Sequence, residues 1–202
     1  MMSLRRKTHN ALRSFVQAYG TPTAKRRLWN AEFGRGRWRC LDATAGDRVY
    51  GYLERYSNQG HILDLGCGSG STANELEFSA YASYVGVDIA DVAIERARIR
   101  SEQNGRQAKN RFQQSDIESY VPAGIFDVIL FRDSLYYLPR NSIVPTLDRY
   151  ARYLSRTGVF IVRLADGREK YAPIVDAIER HFVVVERGRF VDPDALVLVF
   201  RP

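Results

Sequence analysis

Short apolar runs recur along the chain from residue 61 onward, and they alternate with longer segments in which apolar and charged residues mix. The runs at 61–65, 83–88, 110–114, 126–131, 159–164, 182–186 and 195–201 predict seven strands. Several are continuous, such as Val128 to Phe131 and Phe160 to Val162, which is the pattern of strands covered on both faces. The intervening segments at 71–78, 91–104, 142–154 and 171–181 predict helices. In the second of these Val92, Ile94, Ala97 and Ile99 mix with Glu95, Arg96, Arg98 and Arg100, so one face meets water. Strand and helix in alternation imply a parallel sheet with crossover helices. Only about eight residues, 187–194 with Pro193 among them, join the last two strands. A parallel crossover needs a dozen or more, so these two strands form an antiparallel hairpin. The predicted fold is α/β: a doubly wound, seven-stranded, mostly parallel sheet with an antiparallel C-terminal hairpin over residues 58–202. Residues 1–57 form an N-terminal helical arm packed over the carboxyl end of the first strand.

A chain of 202 residues with 45% hydrophobic content buries one sizeable core and is too short for two. The formal charge of +7 is uneven. Residues 1–40 carry ten Arg or Lys against the single acid Glu32, and the remainder is slightly acidic. A basic arm of this kind suits nucleic acid, an anionic surface or an acidic small substrate, or is a solvated helical cap. No run reaches the roughly 18 apolar residues of a membrane helix, and the first residues lack a signal-peptide apolar region, so a soluble, cytoplasmic protein is expected. The two cysteines, Cys40 and Cys67, argue against a disulfide framework or a cysteine metal site, and no metal is expected.

The strongest chemical signal is Ile62-Leu-Asp64-Leu-Gly66-Cys67-Gly68-Ser-Gly70, an apolar strand running into a turn with glycine at every second position. Glycines there let backbone amides approach a ligand and permit positive φ. The turn opens a helix at the carboxyl end of the first strand, where open α/β sheets bind ligands. Twenty-two residues after Gly66, Asp88 ends the second strand, placed to accept hydrogen bonds from ribose hydroxyls. Nicotinamide enzymes share this pairing. Three features point away from them. The dinucleotide fingerprint needs Gly or Ala where this chain has Ser71. Asp64 would repel a pyrophosphate and suits a ligand bearing an ammonium and a sulfonium. The terminal hairpin is foreign to the six-stranded dinucleotide sheet.

Asp64 to Gly70, Val87-Asp88, Gln114-Ser-Asp116-Ile117 and Phe126 to Phe131 together resemble the four successive signature motifs of class I S-adenosylmethionine-dependent methyltransferases, over roughly residues 50–202. The resemblance implies S-adenosyl-L-methionine as cofactor. Gly66 and Gly68, with Cys67 and Gly70 in the same turn, would line its methionine moiety, and Asp64 would orient its amino group. Asp88 followed by Ile89 would hold the ribose, Asp116 and Ile117 would meet the adenine, and Arg132 would contribute backbone contacts near the sulfonium. Trp38 resembles an aromatic that closes over the cofactor in some relatives. Ser115 and Glu118 also read as a capping box, which would make Asp116 a first-turn acid.

Methyl transfer is accelerated largely by alignment and exclusion of water. A base is needed only where the acceptor must lose a proton. Asp133 is the candidate base, with Tyr136 and Tyr137 as wall residues or hydrogen-bond donors. No Asn-Pro-Pro-Tyr follows Phe131 and no long insertion follows the fifth strand, which favours a small or medium-sized acceptor. A nucleic-acid methyltransferase using the basic arm, and a non-catalytic protein keeping the fold, are the alternatives.

Overall fold

The computed structural model describes residues 4–38, 44, 46–165, 169–191 and 194–202, with side chains from residue 11 onward except that of Glu169. Cys40 and Pro193 lie outside the described residues. Seven strands form one sheet in the order β3-β2-β1-β4-β5-β7-β6. They are β1 (His61–Leu65), β2 (Ser83–Asp88), β3 (Asn110–Gln114), β4 (Phe126–Arg132), β5 (Leu154–Ala165), β6 (Val183–Val191) and β7 (Asp194–Arg201). The first five pair in parallel, and β7 is antiparallel to both β5 and β6. The helices are α1 (Leu4–Tyr19), α2 (Pro22–Gly34), α3 (Val49–Ser57), α4 (Ser71–Glu75), α5 (Asp91–Gln103), α6 (Arg140–Ala151) and α7 (Ala172–His181). No helix among the described residues is long and apolar enough to cross a membrane.

Period-two alternation splits each central strand between two cores. Leu63 and Leu65, Ile129 and Phe131, and Phe160 and Val162 face one side with α6 and α7. Ile62, Val128, Leu130, Val159 and Ile161 face the other with Val49, Tyr50 and Leu53 of α3. The same parity carries Asp64, Arg132 and Arg163 onto the α3 side, each at or near the carboxyl end of its strand. Strand alternation has therefore gathered three charges where the apolar columns end.

Four boundaries differ from the sequence pattern. The expected 142–154 helix runs from Arg140 to Ala151. β5 begins at Leu154 and not 159, because Leu154 pairs with Phe126 across a register shift before the buried run starts. Gly158 makes that approach possible: a Cβ there would lie 3.0 Å from the Phe126 carbonyl oxygen. The expected 71–78 helix stops at Glu75, where the Asn74 side-chain Nδ2 donates back to the Gly70 carbonyl at 2.7 Å. Arg106 then takes the Leu76 carbonyl, also at 2.7 Å, and a 3₁₀ turn follows at Phe78–Ala80. The terminal hairpin is also tighter than expected, pairing from Val183↔Arg201 to Val191↔Asp194. β6 is an edge strand with every second residue exposed, so its polar half carried no apolar signal.

Ahead of the sheet, Thr21 caps α2 by accepting from the Ala24 amide at 3.3 Å, with Pro22 opening the helix. α2 is fastened to the start of α5: Arg26 holds Asp91 at 2.6 and 2.7 Å, and Asn30 donates to Asp91 at 2.7 Å. This brings α2 over the carboxyl ends of β1 and β2, while α3 lies along the sheet face.

Candidate active site

The strand order reverses between β1 and β4, and at such a switch point the loops leaving the carboxyl ends diverge and open a crevice. A cavity of about 220 Å³ occupies it. Its floor is the glycine turn with Asp88, Ile89, Asp116 and Ile117, and its far side is the stretch Arg132 to Leu138. The arm roofs it with Gln17, Lys25, Trp29, Phe33 and Trp38.

The turn is built by Gly66, Gly68 and Gly70 at φ of 89°, 54° and 75°. The Gly66 and Cys67 amides both donate to the Val87 carbonyl, at 2.7 and 3.0 Å, which locks the turn to the end of β2. A Cβ on Gly66 would sit 2.4 Å from Ser134 Cβ, whereas on Gly68 it would meet nothing closer than a Phe33 ring carbon at 3.7 Å. Gly66→Ala is therefore expected to cost about 2–4 kcal/mol, and Gly68→Ala only the left-handed penalty of about 1–2 kcal/mol. Urea unfolding of both variants checks that ranking, and equal losses would contradict it. Gly70 serves packing rather than the cavity: its would-be Cβ lies 2.8 Å from Ala97 Cβ, so α4 starts against α5.

Asp88 accepts from the Gly68 amide at 3.0 Å and the Ala90 amide at 2.8 Å, one on each oxygen, and borders the cavity. Burial raises its pKa to about 6 despite those amides. Asp64 lies beneath the cavity rather than on its surface, 1% exposed. It accepts from the Tyr84 hydroxyl, and its Oδ1 is buried with no hydrogen-bond partner among the described residues. Burial raises the Asp64 carboxyl to about 6, opposed by the Tyr84 hydroxyl and the Arg132 charge. Cys67 is a free, buried thiol, its pKa pushed well up by burial and the nearby carboxylates.

Asp116 borders the cavity and accepts from the Glu118 amide at 2.9 Å. The capping-box reading is corrected here: residues 117–119 form a turn, no helix follows, and Glu118 instead takes Lys25 Nζ at 2.7 Å. Trp38 donates to Glu32 at 3.1 Å and lies 5.9 Å from the Trp29 ring. Trp29 stands edge-on to Tyr137 at 4.8 Å, and Tyr136 stacks on Tyr171 at 4.6 Å. Burial raises the pKa of Tyr137 to about 12 and that of Tyr136 further, so both remain hydroxyl donors.

Past β4, Asp133 adopts φ 54°, unusual for a residue with a side chain. Its amide donates to the Arg163 carbonyl at 2.9 Å, while the Arg163 guanidinium holds its Oδ2. Arg163 also lies 3.1 Å from Asp47, which Arg132 holds at 2.7 Å. Two arginines and two aspartates thus form one buried, balanced network. Asp133 Oδ1 is left buried without a hydrogen-bond partner among the described residues, and burial raises its pKa against the pull of both arginines.

Of the sequence-predicted residues, Trp38, Gly66, Cys67, Gly68, Asp88, Ile89, Asp116, Ile117, Arg132, Asp133 and Tyr136 share this one cavity, and Asp64 and Gly70 do not line it. Sequence reasoning missed Asp47, Arg163 and the arm residues Gln17 and Lys25. For Arg163 a signal existed: a lone charge in an apolar strand, at the same parity as Arg132, with which it pairs across the sheet.

A doubly wound sheet of this order, closed by an antiparallel hairpin and holding its cavity at the switch point, is the class I methyltransferase architecture. Residues 57–183 match the methyltransferase domain family, and the chain belongs to it. The mRNA cap guanine-N(7) methyltransferase of Cryptococcus neoformans is 27% identical over 119 residues, covering 52% of this chain and 19% of that protein. The 27-O-demethylrifamycin SV methyltransferase of Amycolatopsis mediterranei is 28% identical over 120 residues, 55% of this chain and 44% of its own length. The chain therefore spans less than half the length of these relatives. Magnesium protoporphyrin IX methyltransferase from Synechocystis, solved with bound SAM, superposes with a TM-score of 0.70 at 20% identity, covering 90% of this chain and 97% of that one.

Proposed function

We propose that this chain transfers a methyl group from S-adenosyl-L-methionine to an oxygen or nitrogen of a small or medium-sized acceptor. The observation that carries the reading is that Gly66, Gly68 and Asp88, from the adjoining ends of β1 and β2, border one cavity. The residues present fit the cofactor. The floor is open where a Cβ at Gly68 would intrude, and the buried carboxylates of Asp64 and Asp88 favour a ligand with net positive charge. Gly66 and Gly68 would hold the methionine part, Asp88 the ribose, and Ile89, Asp116 and Ile117 the base. When bound, the cofactor supplies an activated methyl on a sulfonium.

The chain's own part is alignment, exclusion of water and proton removal. Trp29, Trp38 and Phe33 border the cavity on the arm side, and with ligands bound they would keep water out, which strengthens every charge interaction inside. Asp133 Oδ1, buried at the edge of the cavity and without a hydrogen-bond partner among the described residues, is the acceptor for a hydrogen on the incoming nucleophile, and Tyr136, which lines the same cavity, is a hydroxyl donor. The cap and rifamycin enzymes act on very different acceptors by name, so both a nucleic acid and a small molecule are represented among the relatives. What supports the small molecule is that three of the arm's basic residues, Arg13, Lys25 and Arg26, are already paired with Glu32, Glu118 and Asp91. Calorimetry with S-adenosylhomocysteine is the direct test. A dissociation constant in the micromolar range or tighter, about −8 kcal/mol, is expected. No heat with that ligand alongside saturable NAD binding would overturn the reading.

A further inference from the structure

Gln17 lies on α1 four residues after Arg13, and that spacing puts both on one helix face. Arg13 is bound to Glu32, and its guanidinium lies 5.9 Å over the Trp38 ring. The opposite face of α1 carries Leu12, Phe15 and Tyr19, each more than 60% exposed. Gln17 is the reverse, 6% exposed and bordering the cavity. Its Nε2 is buried and has no hydrogen-bond partner among the described residues. A carboxamide offers two donors and an acceptor, and leaving a donor buried and unpaired is costly. For packing alone an apolar side chain would serve this position better.

The groups suited to the cofactor come from the ends of β1, β2 and β3. Gln17 enters from the other side, with Trp29, Trp38 and Tyr137. Asp133, the second cavity residue with an unpaired buried polar atom, is an acceptor where Gln17 offers a donor. We infer that Gln17 is a specificity-determining residue that hydrogen-bonds the methyl acceptor, while Asp133 takes the hydrogen of the nucleophile. The acceptor class that fits is a flat ring molecule with a nucleophilic O–H or N–H at one position and a hydrogen-bond acceptor at another. The perpendicular pair Trp29 and Tyr137 would offer such a ring one face to stack on and one edge to abut. This rests on the methyltransferase reading above.

The test uses the full chain with Gln17→Leu and Gln17→Ala. Without ligand, Gln17→Leu should raise the melting temperature by about 2–4 °C, because it removes an unpaired buried donor. Both variants should bind S-adenosylhomocysteine within twofold of the parent. With an acceptor identified by a labelled-methyl survey, both should raise KM at least tenfold and leave kcat nearly unchanged. A fall in melting temperature for Gln17→Leu would make the residue structural. A tenfold loss of S-adenosylhomocysteine affinity would assign it to the cofactor, and an unchanged KM would remove it from recognition; each result overturns the inference. Failure of the parent protein to bind S-adenosylhomocysteine would instead strike the underlying reading.

Discussion

Asp88→Ala should weaken S-adenosylhomocysteine binding about a hundredfold while the protein stays folded. Hydrogen bonds to a charged group contribute about 1.5–3 kcal/mol each, and two ribose hydroxyls facing one carboxylate make a hundredfold loss a modest expectation. The Gly68 and Ala90 amides occupy one site on each Asp88 oxygen, which fixes the carboxylate and leaves lone pairs for the cavity. Asp88→Asn keeps one acceptor oxygen and should fall between parent and Ala. The pKa of about 6 adds a pH signature. Ribose donors need the ionised form, so affinity should drop as pH falls through about 6. The free protein behaves in the opposite sense. Asp64 and Asp88 are both raised from 3.8 to about 6, so the folded state holds protons there that the unfolded chain releases. Their contribution to stability is present below pH 3.8 and is lost as pH rises toward 6. Calorimetry at pH 5 and pH 7 separates the two trends; equal affinity at both would place the ribose elsewhere.

How much of this was legible in the sequence follows from how local each feature is. The central strands announced themselves because a strand covered on both faces must be apolar throughout, as Val128 to Phe131 are. The second half of β6 and the first residues of β5 did not, since an edge strand and a strand overhang bury little. The glycine turn and Asp88 were readable because one turn and one strand end build them. Their joint position on a single cavity is a consequence of β1 and β2 pairing in parallel, Leu65 beside Val87. Asp47, Gln17 and Lys25 gave no signal, because each reaches the site from an irregular stretch or a helix whose partner is fixed only by tertiary packing. Trp38 was reachable through family resemblance alone.

The network around Asp133 leads to the second large effect. Asp133→Asn should lower kcat for methyl transfer by about a hundredfold or more, the usual worth of a positioned base, with S-adenosylhomocysteine affinity changed less than threefold. Asn is the conservative choice because it tolerates the left-handed backbone at φ 54° and retains an oxygen for the Arg163 guanidinium. What it loses is the charge that, on the proposed reading, would draw a proton from the nucleophile. Burial makes the Asp133 carboxylate a stronger base than an exposed one, while Arg163 and Arg132 hold it ionised. At saturating cofactor, the acidic limb of the parent kcat/KM profile for the acceptor should report that ionisation and should vanish in Asp133→Asn. Arg163→Lys gives an internal check. A point charge cannot bridge Asp47 and Asp133 as the guanidinium does, so this variant should lose rate through misplacement of the carboxylate while keeping the limb. A parent-like rate in Asp133→Asn would mean that the acceptor reaches the site with its nucleophile already free of the proton, and that the buried pairing serves only to hold the β4 and β5 ends together.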